Sequence, residues 1–295
     1  MRRTKVRMER TVIFLHIPKT AGNTMYQIIE RNCSRKAMYV FGIDGGHDDF
    51  KCLSDDRKSE LRVIGGHAGF GMHRFLPGPS VYFTLFREPV ERVISYYYYA
   101  CRAPDTYAHN SIYANRMGLK DFIASKQDAM VDNGQTRLLA GLESGHEVGF
   151  GQCTHDMLET AKRNLREHFA VVGLTEEFDA TLILLKKAFG WQKLVYVQRN
   201  VSENRPQRDE IPQATLDAIA KVNVLDAELY QYARTLFEEQ VRRQGPSFAQ
   251  EVRDFQIADR RLSPFIRLYW KARKVSVRTM IRKWIQPWHS LLAPV

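Results

Sequence analysis

Short apolar runs alternate along this chain with stretches of helical spacing. Val12 to Ile17, Leu61 to Gly65, Val81 to Phe86, Phe169 to Gly173 and Leu194 to Gln198 are runs of five or six mostly apolar residues, short enough to predict buried strands. Met25, Ile28 and Ile29 begin a helical pattern, and Val90 to Ala100 continues one behind Pro89, which suits a first helical turn. Phe178, Leu182, Leu185 and Phe189 share one helical face that stops at Gly190. Residues 104 to 165 read as mostly helical with loops, and Pro212 to Arg243 as two helices meeting near Val222 to Leu225. Residues 30 to 60 are polar and glycine-containing, with Gly42 to Asp49 at their centre, and read as a helix end and a long loop. Strands alternating with helices predict an α/β fold, a central and mainly parallel sheet flanked by helices on both faces. In such sheets ligands sit beyond the carboxyl ends of the strands.

With 295 residues the chain is long enough for one large domain, expected over residues 1–245, with residues 246–295 as a tail. A net charge of +11 suits an anionic partner but cannot choose among a nucleotide, an acidic glycan, nucleic acid and lipid. Cys33, Cys52, Cys101 and Cys153 form no Cys-x-x-Cys pair, so neither a zinc site nor a disulfide framework is indicated. The apolar run behind the basic residues Met1 to Arg10 is too short for a signal-peptide core or a membrane span. These features lead to the expectation of a cytoplasmic, bacterial enzyme, the alternative being a Golgi protein without its anchor.

Two loops at predicted strand ends carry the candidate chemistry. The first is Pro18-Lys19-Thr20-Ala21-Gly22-Asn23-Thr24, between the first strand and its helix. A helix N-terminus leaves N–H groups unpaired and favours negative charge, Gly22 lets backbone approach a ligand closely, and Lys19 adds a full positive charge. The spacing is not that of a Walker loop, in which the lysine follows its second glycine. The second is Arg87-Glu88-Pro89, with Ser95 two helical turns beyond the arginine. Arg87 offers a planar fork for bidentate phosphate contact. Taken alone, either loop also fits a plainer reading, a surface lysine on a turn or an arginine paired to Glu88 or Glu91.

Together, His16-Ile-Pro-Lys-Thr-Ala-Gly-Asn-Thr and Arg87-Glu-Pro with Ser95 resemble the 5′-phosphosulfate and 3′-phosphate motifs of carbohydrate sulfotransferases that use 3′-phosphoadenosine 5′-phosphosulfate (PAPS), most of all the heparan and uronyl 2-O branch. Position 88 is Glu where relatives often carry Asp. Asn133-Gly-Gln-Thr-Arg-Leu-Leu-Ala-Gly and Val172-Gly-Leu-Thr-Glu-Glu-Phe-Asp also look like family landmarks. The resemblance spans roughly Val12 to Arg205. It implies a P-loop-like fold, PAPS bound by residues 18–24, Arg87 and Ser95, sulfuryl transfer to a glycan hydroxyl, Lys19 charge on the leaving oxygen, no metal and no nucleic acid. It also makes His67, in Gly65-Gly66-His67, the general base, although Gly65 stands where the family has a first histidine. His47, His73, Asp44 and Asp48 are reserve bases.

Arg74, Arg102, Arg116 and Arg137 are candidates for an acidic acceptor, and Arg199, Arg205 and Arg208 for a loop closing over the nucleotide. The Tyr96 to Tyr99 run fits either adenine stacking or core and cleft wall. Residues 264–288 place a basic stripe beside an apolar, tryptophan-bearing one, which suits a peripheral membrane contact or docking on the domain or a second subunit. The sequence leaves the oligomeric state open. The rival functions are a kinase-like phosphotransferase and a non-catalytic polyanion-binding protein.

Overall fold

The computed structural model describes residues 10–104, 107–197 and 206–265. Five strands, β1 (Thr11–Leu15), β2 (Met38–Val40), β3 (Val63–Gly66), β4 (Ser80–Phe86) and β5 (Phe169–Leu174), form one sheet in the order β2-β3-β1-β4-β5, every pairing parallel. The helices are α1 (Gly22–Asn32), α2 (His47–Lys51), α3 (Asp55–Glu60), α4 (Pro89–Ala100), α5 (Tyr107–Ala114), α6 (Leu119–Ser125), α7 (Gly134–Ala140), α8 (His155–His168), α9 (Phe178–Phe189), α10 (Gln213–Lys221), α11 (Val224–Arg243) and α12 (248–265). None of them is long and apolar enough to cross a membrane.

The predicted three-layer α/β architecture is the one observed. β1 and β4 lie side by side in the middle of the sheet, which is why their residues run apolar without alternation: both faces are covered. Phe14 stacks on Phe83 with ring centroids 4.7 Å apart, and this pair meets Tyr26 of α1 and Phe189 of α9 on one face. On the other face Tyr82 meets Phe70, whose segment hydrogen-bonds to α7 through Leu138. A second cluster joins α4, α6 and α10 through Val93, Phe122 and Ile219, and braces the helix that follows Arg87.

Three expectations need correction. Residues 30–60 hold β2, α2 and α3 rather than one loop; β2 has only three residues, too few to give a readable period. Leu194 to Gln198 is not a strand over its described part: residues 191–197 are irregular, and side chains take the place of a neighbouring strand. Asn32 accepts from the Gln192 and Lys193 N–H groups, and Asp259 accepts from Tyr196 N–H at 2.8 Å. Arg137 is neither solvated nor placed for an acceptor. It is fully buried, ion-pairs with Asp132 at 2.6 Å, and donates to the carbonyls of Val148 and Gly149.

The break between α10 and α11 falls at Val222 and Asn223, as the pattern predicts. The first part of the tail, α12, is packed on the domain: Phe248 is buried, Val252 and Phe255 lie against the main core, and Glu251 pairs with Lys187 at 2.8 Å. Residues 266–288 and Arg199 and Arg205 fall outside the described residues.

Truncating one side of a buried, fully hydrogen-bonded ion pair strands the other charge. Arg137→Ala should therefore cost about 3–5 kcal/mol in denaturant unfolding. A cost near that of an ordinary surface substitution would contradict this role.

Candidate active site

The loop after β1 is wound unusually tightly. Lys19 and Ala21 both adopt left-handed backbone, with φ of 73° and 62°. Each such non-glycine residue costs about 1–2 kcal/mol, and strain of this kind concentrates where a loop must hold a particular shape. Left-handed residues alternating with ordinary ones turn successive N–H groups toward one side, which makes an anion-binding concavity. Ala21 caps α1 and offers no side chain to the first-turn N–H groups, and that turn contains no acidic residue. By contrast Glu88, Ser54 and Thr154 cap α4, α3 and α8 with side-chain oxygens. The N-terminus of α1 is thus left open to an external anion, and this donor set fits a phosphosulfate.

Within the loop the predicted residues divide. Pro18 and Lys19 are half-buried and Asn23 is exposed. Thr20 is fully buried and its hydroxyl donates to Ile17 O at 2.8 Å, closing the loop from inside; Thr24 is also buried. Gly22 also has a reason within the fold. A Cβ at Gly22 would fall inside the imidazole of His16.

The decisive contact joins the two motifs. Arg87, one residue past β4, donates from Nη1 to the carbonyl oxygen of Lys19 at 3.2 Å, and its Nη2 lies 3.6 Å from Glu91. The two loops therefore form one site at the carboxyl ends of the two central strands. Ser95 sits on α4 midway between Glu91 and Tyr99, and these three share one helical stripe by their four-residue spacing. Tyr99 carries the Lys19 ammonium over its ring, 3.8 Å from the centroid. Burial, with Arg102 and Arg87 nearby, pushes the Lys19 pKa down to about 8. Arg102 is thereby placed near the loop after β1. Arg208 pairs with Glu88 at 3.1 Å and Glu91 at 3.7 Å, so it bears on the same motif through the acidic residues.

Of the tyrosine run, Tyr96 donates to Asp128 and Tyr97 to Met117 O, so both belong to the protein interior; only Tyr99 is both exposed and at the loop.

His67 follows β3, next to β1 in the sheet. Its Nδ1 lies 3.2 Å from the carbonyl oxygen of His16, and the two imidazoles stack at 4.3 Å. A carbonyl only accepts, so Nδ1 carries the proton and Nε2 keeps its lone pair. Its ring has an exposed edge, yet desolvation and the Lys19 charge hold its pKa below the usual histidine value. His16 is buried and held well below that value by burial, His67 and Lys19. A side chain at Gly65 would crowd Phe14 and the Tyr26 hydroxyl, and the imidazole that stacks on His67 is that of His16, one residue past β1.

The reserve bases are otherwise engaged. Asp44 ion-pairs with Arg35 and accepts from Val40 N–H; Asp48 pairs with Lys51; His47 pairs with Glu143 at 3.2 Å. His73 bonds Tyr82 near the amino end of β4, away from Arg87.

The galactose-3-O-sulfotransferase family model matches residues 2–292. This chain belongs to that family. Human galactose-3-O-sulfotransferase 3 is 26% identical over 94% of this chain and 68% of its own length, and zebrafish heparan-sulfate 6-O-sulfotransferase 2 is 24% identical over 87% and 64%. A Drosophila heparin sulfate O-sulfotransferase is 27% identical over 77% and 72%. Mouse sulfotransferase SULT7A1 complexed with PAP aligns with a TM-score of 0.36 and 12% identity over 75% of this chain, a likeness too slight to carry an argument. The chain is thus a carbohydrate sulfotransferase of the PAPS-dependent kind, as its motifs resemble, and the matching family model is galactose-3-O. The expectation of a cytoplasmic bacterial enzyme is overturned by the animal carbohydrate sulfotransferases that this chain resembles.

If His16 is what excludes a side chain at position 22, Gly22→Ala should cost about 1–3 kcal/mol by overpacking. The same change should cost far less in a His16→Ala background. Equal costs in the two backgrounds, measured by denaturant unfolding, would show that His16 is not the obstacle.

Proposed function

We propose that this enzyme transfers the sulfuryl group of PAPS to a hydroxyl of a galactose-bearing glycan, with Lys19, Arg87 and His67 in named roles. The observation that carries the reading is the Arg87 bond to the Lys19 carbonyl, which brings a phosphate fork and an open helix N-terminus within one nucleotide's reach. The galactose acceptor is supported by the family model and by the human relative's name.

PAPS supplies the activated sulfuryl group and leaves as 3′-phosphoadenosine 5′-phosphate (PAP). The N–H groups of residues 20–23 hold the 5′ end. Arg87, oriented by the Lys19 carbonyl, reads the 3′-phosphate, with Ser95 on the adjoining helical stripe. Lys19 places positive charge at the leaving oxygen, where charge builds as the bond to sulfur breaks. His67, already protonated on Nδ1, takes the acceptor hydroxyl's proton on Nε2 as that oxygen attacks. Most of the rate then comes from positioning and from charge held in advance, as in phosphoryl transfer.

Arg87→Ala should weaken PAP binding roughly 10- to 150-fold, the loss of one charge-assisted contact of about 1.5–3 kcal/mol. His67→Ala should lower turnover about 10²–10⁴-fold with PAP affinity unchanged. Calorimetry and a labelled-PAPS assay read these separately, and undiminished PAP binding in Arg87→Ala would remove Arg87 from its role. Transfer of label to heparan acceptors but to no galactoside would overturn the acceptor.

The two pKa values have opposite effects on rate. His67 is a base only above its depressed pKa, and Lys19 is a cation only below about 8. The PAPS kcat/KM should therefore rise with pH through a value under 6.5 and fall through about 8. In Lys19→Arg the alkaline fall should disappear. A wild-type profile flat to high pH would contradict the assignment of Lys19.

A further inference from the structure

Arg87 stands just beyond the last residue of β4, where the ladder with β1 has already ended at Leu15 and Thr84. Its main chain is nevertheless fixed on both sides of the residue by one side chain. Gln135 Oε1 accepts from Arg87 N–H at 3.1 Å, and Gln135 Nε2 donates to Arg87 O at 3.0 Å. The amide thus does for Arg87 what a neighbouring strand does within the ladder. Gln135 is fully buried in the first turn of α7.

The turn is anchored in its own right. Asp226 of α11, also fully buried, accepts from Gln135 N–H at 3.1 Å and from the Thr136 N–H and hydroxyl at 2.7 and 2.8 Å. Asn133 returns a bond to Asp226 N–H at 2.9 Å. The Asp226 charge is faced by Arg92 of α4 at 3.7 Å, in a pair with no exposed surface. Three helices, α4, α7 and α11, therefore converge on the main chain of one arginine. A freely rotating guanidinium would lose much of its contact energy to ordering; fixing its root removes part of that cost.

We infer that Gln135 is a positioning residue for the nucleotide's 3′ end: its amide clamp on Arg87, held in turn by Asp226, sets where the guanidinium points. This rests on Arg87 being the 3′-phosphate reader.

The test is the preference for PAP over adenosine 5′-monophosphate, which lacks only the 3′-phosphate. It is measured by calorimetry on the wild type, Arg87→Ala, Gln135→Met and Gln135→Glu, with melting temperatures taken alongside. Gln135→Met keeps the volume and loses both bonds. Its preference for PAP should fall about tenfold or more, with monophosphate affinity kept. Gln135→Glu keeps the acceptor but sets a carboxylate against the Arg87 carbonyl. Its preference should be low at neutral pH and climb toward the wild-type ratio as the pH falls and a protonated carboxyl donates again. A general loss of stability would lower both affinities and leave their ratio alone. A wild-type ratio at neutral pH in whichever of the two Gln135 variants folds overturns the inference. A wild-type ratio in Arg87→Ala overturns the underlying reading of Arg87 instead.

Discussion

The site depends on one hydrogen bond that crosses from β4 to the loop of β1, from the Arg87 guanidinium to the Lys19 carbonyl. It exists because two parallel strands side by side in the sheet both end there, and each is followed by a helix. The chemistry of the two loops is complementary. One presents N–H groups and an ammonium, the other a planar cation. Both would repel each other without an anion between them, and Glu91 partly offsets that repulsion at the Arg87 side. Burial above all, and the neighbouring Arg102 and Arg87 charges after it, bring the Lys19 pKa down to about 8.

The loop after β1 and His67 are tied together through His16. His16 lies one residue past β1, under Gly22 of the loop that follows and against His67. Its ring closes the floor of the loop, and its carbonyl sets the Nδ1 proton of His67. A displacement of the β1 end would therefore disturb the loop and His67 at once. Left-handed Lys19 and Ala21 hold that end in a conformation the chain would not choose unaided.

Much of this was legible in the sequence. The strand-loop-helix at Val12 to Thr24 and the Arg87-Glu-Pro turn are local patterns, and local patterns report local structure. Their adjacency followed from the parallel α/β reading. What could not be read were long-range substitutions of one group for another. His16 stacks on His67 from across the sheet, and Asn32 and Asp259 accept the backbone hydrogen bonds that a neighbouring strand would have taken beside Leu194 to Gln198. Arg137 looked like any surface arginine because nothing nearby in sequence signals burial. Gln135 and Asp226 lie 91 positions apart, and their bond leaves no local signature, though the Asn133 to Gly141 landmark did mark the right segment.

The most direct measurement is the crystal structure of this chain with PAP bound. The account predicts the 3′-phosphate against the Arg87 guanidinium and the 5′-phosphate over the N–H groups of residues 20–23, with the Lys19 ammonium drawn off Tyr99 toward it. PAP bound elsewhere, or with its two phosphates reversed between these loops, would contradict it.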